Sequence, residues 1–218
     1  MKTDLQIRKD VERELAWDTR TWNLKIDVKV HDGVVSLTGS VGSYADRIAA
    51  QNAAYRVTGV LDIANEIMVK SVRPYTDEEI AHGVRQALRW DSTVPDEQIT
   101  SSVSDGWVTL SGAVNTLSQR SDAERSVEHL HGVRGVFNEI VVETVRSDPE
   151  DLRSSIMQAL ERRADREAER LRIDITNGEV DLYGRVHSWQ ERKAVVGSIV
   201  PLPGVRKIND KLRIDPYF

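Results

Sequence analysis

Apolar residues recur every four positions at three places along the chain: Ile7, Val11 and Leu15; Ile80, Val84 and Leu88; Leu152, Ile156 and Leu160. That spacing predicts an α-helix with one buried stripe. The period then drops to two, at Ile26, Val28 and Val30 and again at Leu171, Ile173 and Ile175. Period two predicts a strand with one buried face. The middle stretch alternates less well, because Ser101 stands between Ile99 and Val103. A decamer follows each time: DGVVSLTGSV at 32–41, DGWVTLSGAV at 105–114 and NGEVDLYGRV at 177–186. Asp-Gly or Asn-Gly before an apolar alternation is a hairpin turn leading into a second strand. Val35, Leu37 and Val41 point inward on that strand, and Gly39 shares their side. A side chain at Gly39 is expected to collide with a packed helix.

A shift of 73 residues and then 72 superimposes these landmarks without internal gaps, so one unit is repeated three times. The one-residue difference falls in the linkers, seven residues from Val69 to Thr76 and six from Val142 to Asp148. Each unit opens with a helix start. Thr3 and Thr76 have Gln6 and Glu79 three residues on, as a capping box requires, and Asp148 is followed by Pro149 at the first helical position. A second helix is capped by Ser43, Thr116 or Ser188, with Asp46, Gln119 or Glu191 three residues on. It ends near Gly59, Gly132 or Gly204, before a third strand at 63–69, 136–142 or 208–214. The expected fold is α+β: three tandem α-β-β-α-β two-layer domains at 1–72, 73–145 and 146–218. In each, two helices pack on one face of a three-stranded mixed sheet, with a right-handed crossover between strands two and three.

Composition narrows the chemistry. The 218 residues include no cysteine, which excludes disulfides, thiolate catalysis and cysteine-held metals. Charged residues make up 30% and hydrophobic ones 39%, a mix suited to small domains with much surface. The stretch MKTDLQIRKDVERELAWD interleaves charge and contains no apolar leader core, and no run reaches transmembrane length. The expected location is cytoplasmic, with the periplasm the alternative had a leader been removed. The five histidines, at 31, 82, 129, 131 and 187, occupy different repeat positions, and His129 and His131 do not share a helix face. No Ser/His/Asp order, phosphate loop or HExxH motif is present. Asp77, Glu78 and Glu79 suit the first turn of a helix, where the dipole favours carboxylates, rather than paired-acid catalysis. The chain is not expected to be an enzyme or to need a cofactor. Gly39-Ser40-Val41-Gly42 matches a GxxG clamp, but Asn115 and His187 replace its second glycine in the other copies. Residues 74–145 hold 5 basic and 12 acidic residues, whereas 1–73 and 146–218 each carry a net +1. That distribution offers no basic face, so nucleic acid is not an expected partner.

The apolar helix, [DN]G-x-V-x-L-x-G-x-V, capped helix and G-V-x-x-[IV]-x-[ND] together resemble the BON domain of bacterial osmotically inducible and nodulation proteins, in all three copies. The resemblance implies a stress-associated binding protein. Relatives bind phospholipid or membrane surfaces, protect envelope proteins or, in a cytoplasmic potassium-binding member, sense an ion. Three partner classes follow: an anionic lipid surface, a client protein or second copy of the chain, and a small ion or metabolite. Lipid binding would fall to copies one and three, because anionic membranes attract Lys and Arg.

Two sets of residues are candidates for contact. Arg47, Arg120 and Arg192 occupy one position, in the first turn of the second helix, where a cation opposes the dipole. They either pair with the cap acid or the hairpin, or cover apolar surface with their long stems, or hold an anion or lipid headgroup with the cap residues Ser43, Thr116 and Ser188 and free helix N–H groups. The second set is the outward sheet face. It carries Val34, Ala64 and Met68 in copy one, Trp107, Phe137 and Val141 in copy two, and Glu179, Asn209 and Arg213 in copy three. An apolar outward face marks a contact surface with a neighbouring copy, another subunit or a client. Trp17 and Trp90, matched at the end of the first helix, are expected to plug the domain.

Overall fold

A computed structural model describes residues 2–71, 73–143, 148–161 and 171–216. The first copy contains α1 (Asp4–Trp17), β1 (Ile26–His31), β2 (Val34–Val41), α2 (Tyr44–Tyr55) and β3 (Asp62–Val69). The second contains α3 (Asp77–Trp90), β4 (Ile99–Ser104), β5 (Trp107–Val114), α4 (Leu117–Glu128) and β6 (Gly135–Val142). The third contains α5 (Pro149–Glu161), β7 (Arg172–Thr176), β8 (Glu179–Val186), α6 (Trp189–Ile199) and β9 (Lys207–Ile214). The domain boundary expected at 145/146 lies outside the described residues.

Each sheet is mixed. In the first, β1 pairs antiparallel with β2, from Ile26 opposite Gly39 to His31 opposite Val34. β2 then pairs parallel with β3, from Val34 opposite Asp62 to Val41 opposite Val69. The other two sheets repeat this order. The turns fix the register: Asp32, Asp105 and Asn177 have φ of 48°, 50° and 50°, and the following glycines 76°, 77° and 79°. Positive φ at both central residues is the two-residue hairpin geometry that matches strand twist. The same turn brings β4 into register despite its weak alternation. A carboxylate secures two of the turns from below. Asp4 accepts from the amides of Asp32 and Gly33, and Asp77 from those of Asp105 and Gly106. Pro149 occupies the matching position in copy three.

The helical stripes form the cores. Ile7, Val11 and Leu15 are buried against Val28, Val35, Leu37, Val41 and the alanines of α2. Each fully buried Leu or Val contributes about 1.5–3 kcal/mol relative to an exposed one. The glycine at the end of β2 has a different reason from the one expected. Gly39 has φ +141°, and a Cβ there would stand 2.5 Å from the Lys25 carbonyl oxygen, so the obstacle is the lead-in to the adjacent strand and not a helix. Trp17 and Trp90 also correct an expectation. They are 76% and 85% exposed, because each lies two residues past the last buried stripe position and so leaves the core face of its helix.

The three copies close into a ring. Tyr44, Leu117 and Trp189 occupy one repeat position, the first residue of the second helix. Trp189 stacks on Tyr55 of copy one, with centroids 4.1 Å apart, and donates its indole N–H to the Leu61 carbonyl at 3.2 Å. Tyr44 lies against α4, where burial and the nearby Glu128 and Glu124 raise its hydroxyl pKa. Leu117 is buried in a single core shared by copies two and three. Strand ends repeat the pattern. Val141 and Val142 of β6 border a cleft with Arg206 of copy three, and Ile214 at the end of β9 borders one with the matching Leu61 of copy one. Successive copies therefore meet through equivalent surfaces, which is quasi-threefold closure.

Candidate binding surfaces

The three arginines rise from the first turns of α2, α4 and α6 and reach the third strand of their own domain. Arg47 Nη2 donates to the Asn65 carbonyl at 3.0 Å, and Arg120 Nη2 to the Asn138 carbonyl at 2.9 Å. Both asparagines bond back: Asn138 Nδ2 donates to the Arg120 carbonyl at 2.9 Å and Asn65 Nδ2 to that of Arg47 at 3.4 Å. In copy three the strand residue is an acid, and Arg192 Nε donates to Asp210 Oδ2 at 2.7 Å. The arginines thus clamp the second helix to the sheet. Their partner is neither the cap acid nor the hairpin but a strand residue. The trace in the sequence was the closing [ND] of G-V-x-x-[IV]-x-[ND], present at 65, 138 and 210. Arg120 Nε is buried without a hydrogen-bond partner among the described residues.

Ser43, Thr116 and Ser188 are helix caps whose hydroxyls accept the amide N–H of Asp46, Gln119 and Glu191. The N3 side chains return the bond, Asp46 to the Ser43 amide, Gln119 to those of Asn115 and Thr116, and Glu191 to the His187 amide. Several donors at each helix start are therefore engaged within the chain, and the arginines are turned toward the strand.

The outward sheet faces of copies one and two carry exposed apolar side chains. Trp107 stacks on Phe137 with centroids 5.1 Å apart and planes at 20°, and both are exposed beside Val141. Gly135 makes this possible, since its missing side chain leaves the space in which the Trp107 ring lies. Asp62 and Lys207 fill the matching position in the other copies. Val34 and Met68 of copy one are also exposed, farther apart in chemistry from a continuous aromatic patch. The face of copy three is ionic: Lys211 pairs with Asp181 at 2.7 Å and donates to the Tyr183 hydroxyl at 2.8 Å. The Asp181 contact foremost pushes the ammonium up to about 12.

Exposed tryptophan is the feature that sequence reasoning placed wrongly. Trp17 and Trp90 end α1 and α3, and Trp22, 67% exposed, follows in the loop after α1. Asp18 sits below this corner and accepts from Arg20 and Arg56, which hold its carboxyl well under the usual range. No group of three or more metal-ligating side chains occurs among the described residues. No described helix is long and apolar enough to cross a membrane.

Comparison with known proteins agrees with the repeated unit. Osmotically-inducible protein Y of Escherichia coli strain K12 is 31% identical over 121 residues, which is 53% of this chain and 60% of that protein. The chain thus spans about three-fifths of that relative's length. Two structures of CdsD, a structural protein of the type III secretion system of Chlamydia trachomatis, are 15% identical with TM-scores of 0.27. They cover 95% and 99% of this chain, and the alignments take in 91% and 100% of theirs, but scores that low say nothing about the arrangement of the copies. The BON domain profile matches residues 3–71, 76–144 and 147–216. The chain belongs to the BON domain family and carries three tandem copies of that domain.

Proposed function

We propose that the protein is a non-enzymatic, osmotic-stress-associated binding protein that attaches to phospholipid surfaces. The association with osmotic stress rests on its likeness to osmotically-inducible protein Y. The observation supporting lipid attachment is the pair of indoles at matched positions, Trp17 and Trp90, both more than three-quarters exposed. Indole favours the membrane–water interface, where its ring is desolvated and its N–H stays wet. In a quasi-threefold ring, matched positions lie at one height along the axis, and the reading requires that both indole rings point along it. Arg85 and Arg89 flank the second, each worth about 1 kcal/mol near an anionic bilayer against the net negative charge of copy two, whereas Arg13 and Arg20 beside the first are paired with Asp10 and Asp18. The test is cosedimentation with phosphatidylglycerol vesicles. A W17A/W90A variant should bind roughly ten- to hundredfold more weakly, from the loss of two half-inserted rings. Unchanged binding would remove the reading.

The Trp107–Phe137 stack favours a second reading, self-association through the outward face of copy two. Sedimentation velocity should then show concentration-dependent association of the parent protein that F137E abolishes.

A further inference from the structure

The junction between copies three and one encloses a cleft of about 650 Å³. Its copy-one wall is Asn52, Tyr55 and Arg56 at the end of α2, with Arg20 from the loop after α1. Its copy-three wall is the start of α6, including Trp189, Arg192 and Lys193, with Asp210 of β9 behind. Four cationic side chains thus line the cleft against one carboxylate. The volume is that of a small-molecule site.

We propose that this cleft binds a phosphate monoester, whose dianionic head is held by Arg20, Arg56, Arg192 and Lys193. The guanidinium groups are fixed in advance by carboxylates, Glu14 and Asp18 outside the lining and Asp210 within it. Arg20 uses Nε and Nη2 on Asp18, and Arg56 uses Nε on Glu14 and Nη2 on Asp18. Arg192 uses only Nε, on Asp210. Each therefore keeps N–H donors for a ligand. A tetrahedral phosphate has oxygens for several forks arriving from different walls, whereas one fork already satisfies a planar carboxylate. Tyr55, Trp189 and Val196 supply an apolar side for the ester's carbon portion.

The repeat provides an internal control. If these cations served only to close the ring, the other junctions would carry them. Instead Arg20 is matched by Thr93, Arg56 by His129 and Pro201, and Lys193 by Ile48 and Ser121. Arg192 is also the one arginine of the set whose strand partner is an acid; its guanidinium lies over the Trp189 ring, and neither Nη donates to a described residue. Lys193 is exposed and makes no hydrogen bond or close ion pair with a described residue; the Glu128 carboxylate of copy two feels its charge without binding it.

The test uses the full chain and calorimetric titration with sn-glycerol 3-phosphate and inorganic phosphate, beside flotation with phosphatidate-containing and pure phosphatidylcholine vesicles. K193E and Q190E change exposed residues at the cleft and should each weaken binding about tenfold or more, the first by losing a charge-assisted contact and the second by placing a carboxylate beside the dianion. K9E, the same reversal on the exposed side of α1, should leave it unchanged, and W17A/W90A should leave binding of the soluble esters unchanged, which separates this site from membrane attachment by tryptophan. Saturable binding of the soluble esters with that variant pattern supports a free metabolite. Weakening by K193E and Q190E but not by K9E, with phosphatidate vesicles alone, supports a lipid headgroup. Absence of binding to both, or equal weakening by K193E and K9E, overturns the proposal.

Discussion

Replacing Trp189 by alanine tests ring closure. Truncating a buried Trp to Ala costs about 3–5 kcal/mol; Trp189 is half-buried, so about 2 kcal/mol applies to the packing on Tyr55. Losing the indole bond to the Leu61 carbonyl adds about 1 kcal/mol. A total near 3 kcal/mol corresponds to a fall of roughly 6–12 °C in melting temperature for a chain of this size unfolding as one unit. The loss falls on the coupling between copies three and one, not on either core. Calorimetry should therefore show one transition in the parent and an early, separate transition for copy one in W189A. X-ray scattering should give the parent a radius of gyration near the roughly 17 Å of a compact 218-residue chain. A parent that melts in independent steps, or a radius well above that value, would refute the closed ring. So would W189A melting with the parent.

R120A should destabilise copy two by about 1.5–3 kcal/mol in urea, since it removes a charge-assisted bond to the Asn138 carbonyl, with R120K recovering part. Glu128 is pushed above its ordinary value of 4.5 by burial first and by Glu124 second. Its folded state thus prefers the proton, so its relative stabilisation is complete below about pH 4.5 and lost as pH rises through the raised value. E128Q should raise the melting temperature at pH 7 and leave it unchanged at pH 4; equal shifts at both would contradict the assignment. The two kinds of glycine should respond oppositely. G83A, within α3 with its nearest neighbours 3.9 Å away, should gain about 0.5–1 kcal/mol, whereas G112A, at φ +135° with a Cβ against the Gln98 carbonyl, should lose more than it could recover by relaxation.

Elements whose causes are local were legible in the sequence. The stripe Ile7, Val11, Leu15, the Asp32-Gly33 turn and the Ser43 cap each announce themselves within a few residues, because helix pitch, positive φ and capping are short-range requirements. What failed depended on where an element stops or what lies across it. Trp17 follows the stripe in sequence but leaves its face after Leu15, and an apolar residue off the stripe looks the same in sequence as one on it. Arg47 was visible as a repeated oddity, and its clamp on Asn65 required knowing that α2 crosses β3 at that height. Gly39 was correctly read as a site with no room, and the wrong neighbour was blamed, since the backbone of residue 25 carries no side-chain signature.

Ring closure was the least legible feature, and its cause explains where the copies diverge. Within a domain the same contacts recur three times, so the same residues serve: the turn, the inward Val and Leu, the cap and the clamp. Between domains, the first residue of each second helix packs on the next copy, and Tyr44, Leu117 and Trp189 do so with three different shapes. A repeat alignment registers that position as variable. Its neighbours are freer still, because nothing in any single core depends on them. Charge could therefore concentrate at one junction, around Arg56 and Lys193, while the matched places became His129, Pro201, Ile48 and Ser121. Triplication thus creates clefts that no single copy contains. A domain-by-domain scan for function would pass over them, because each contributes only half of the lining.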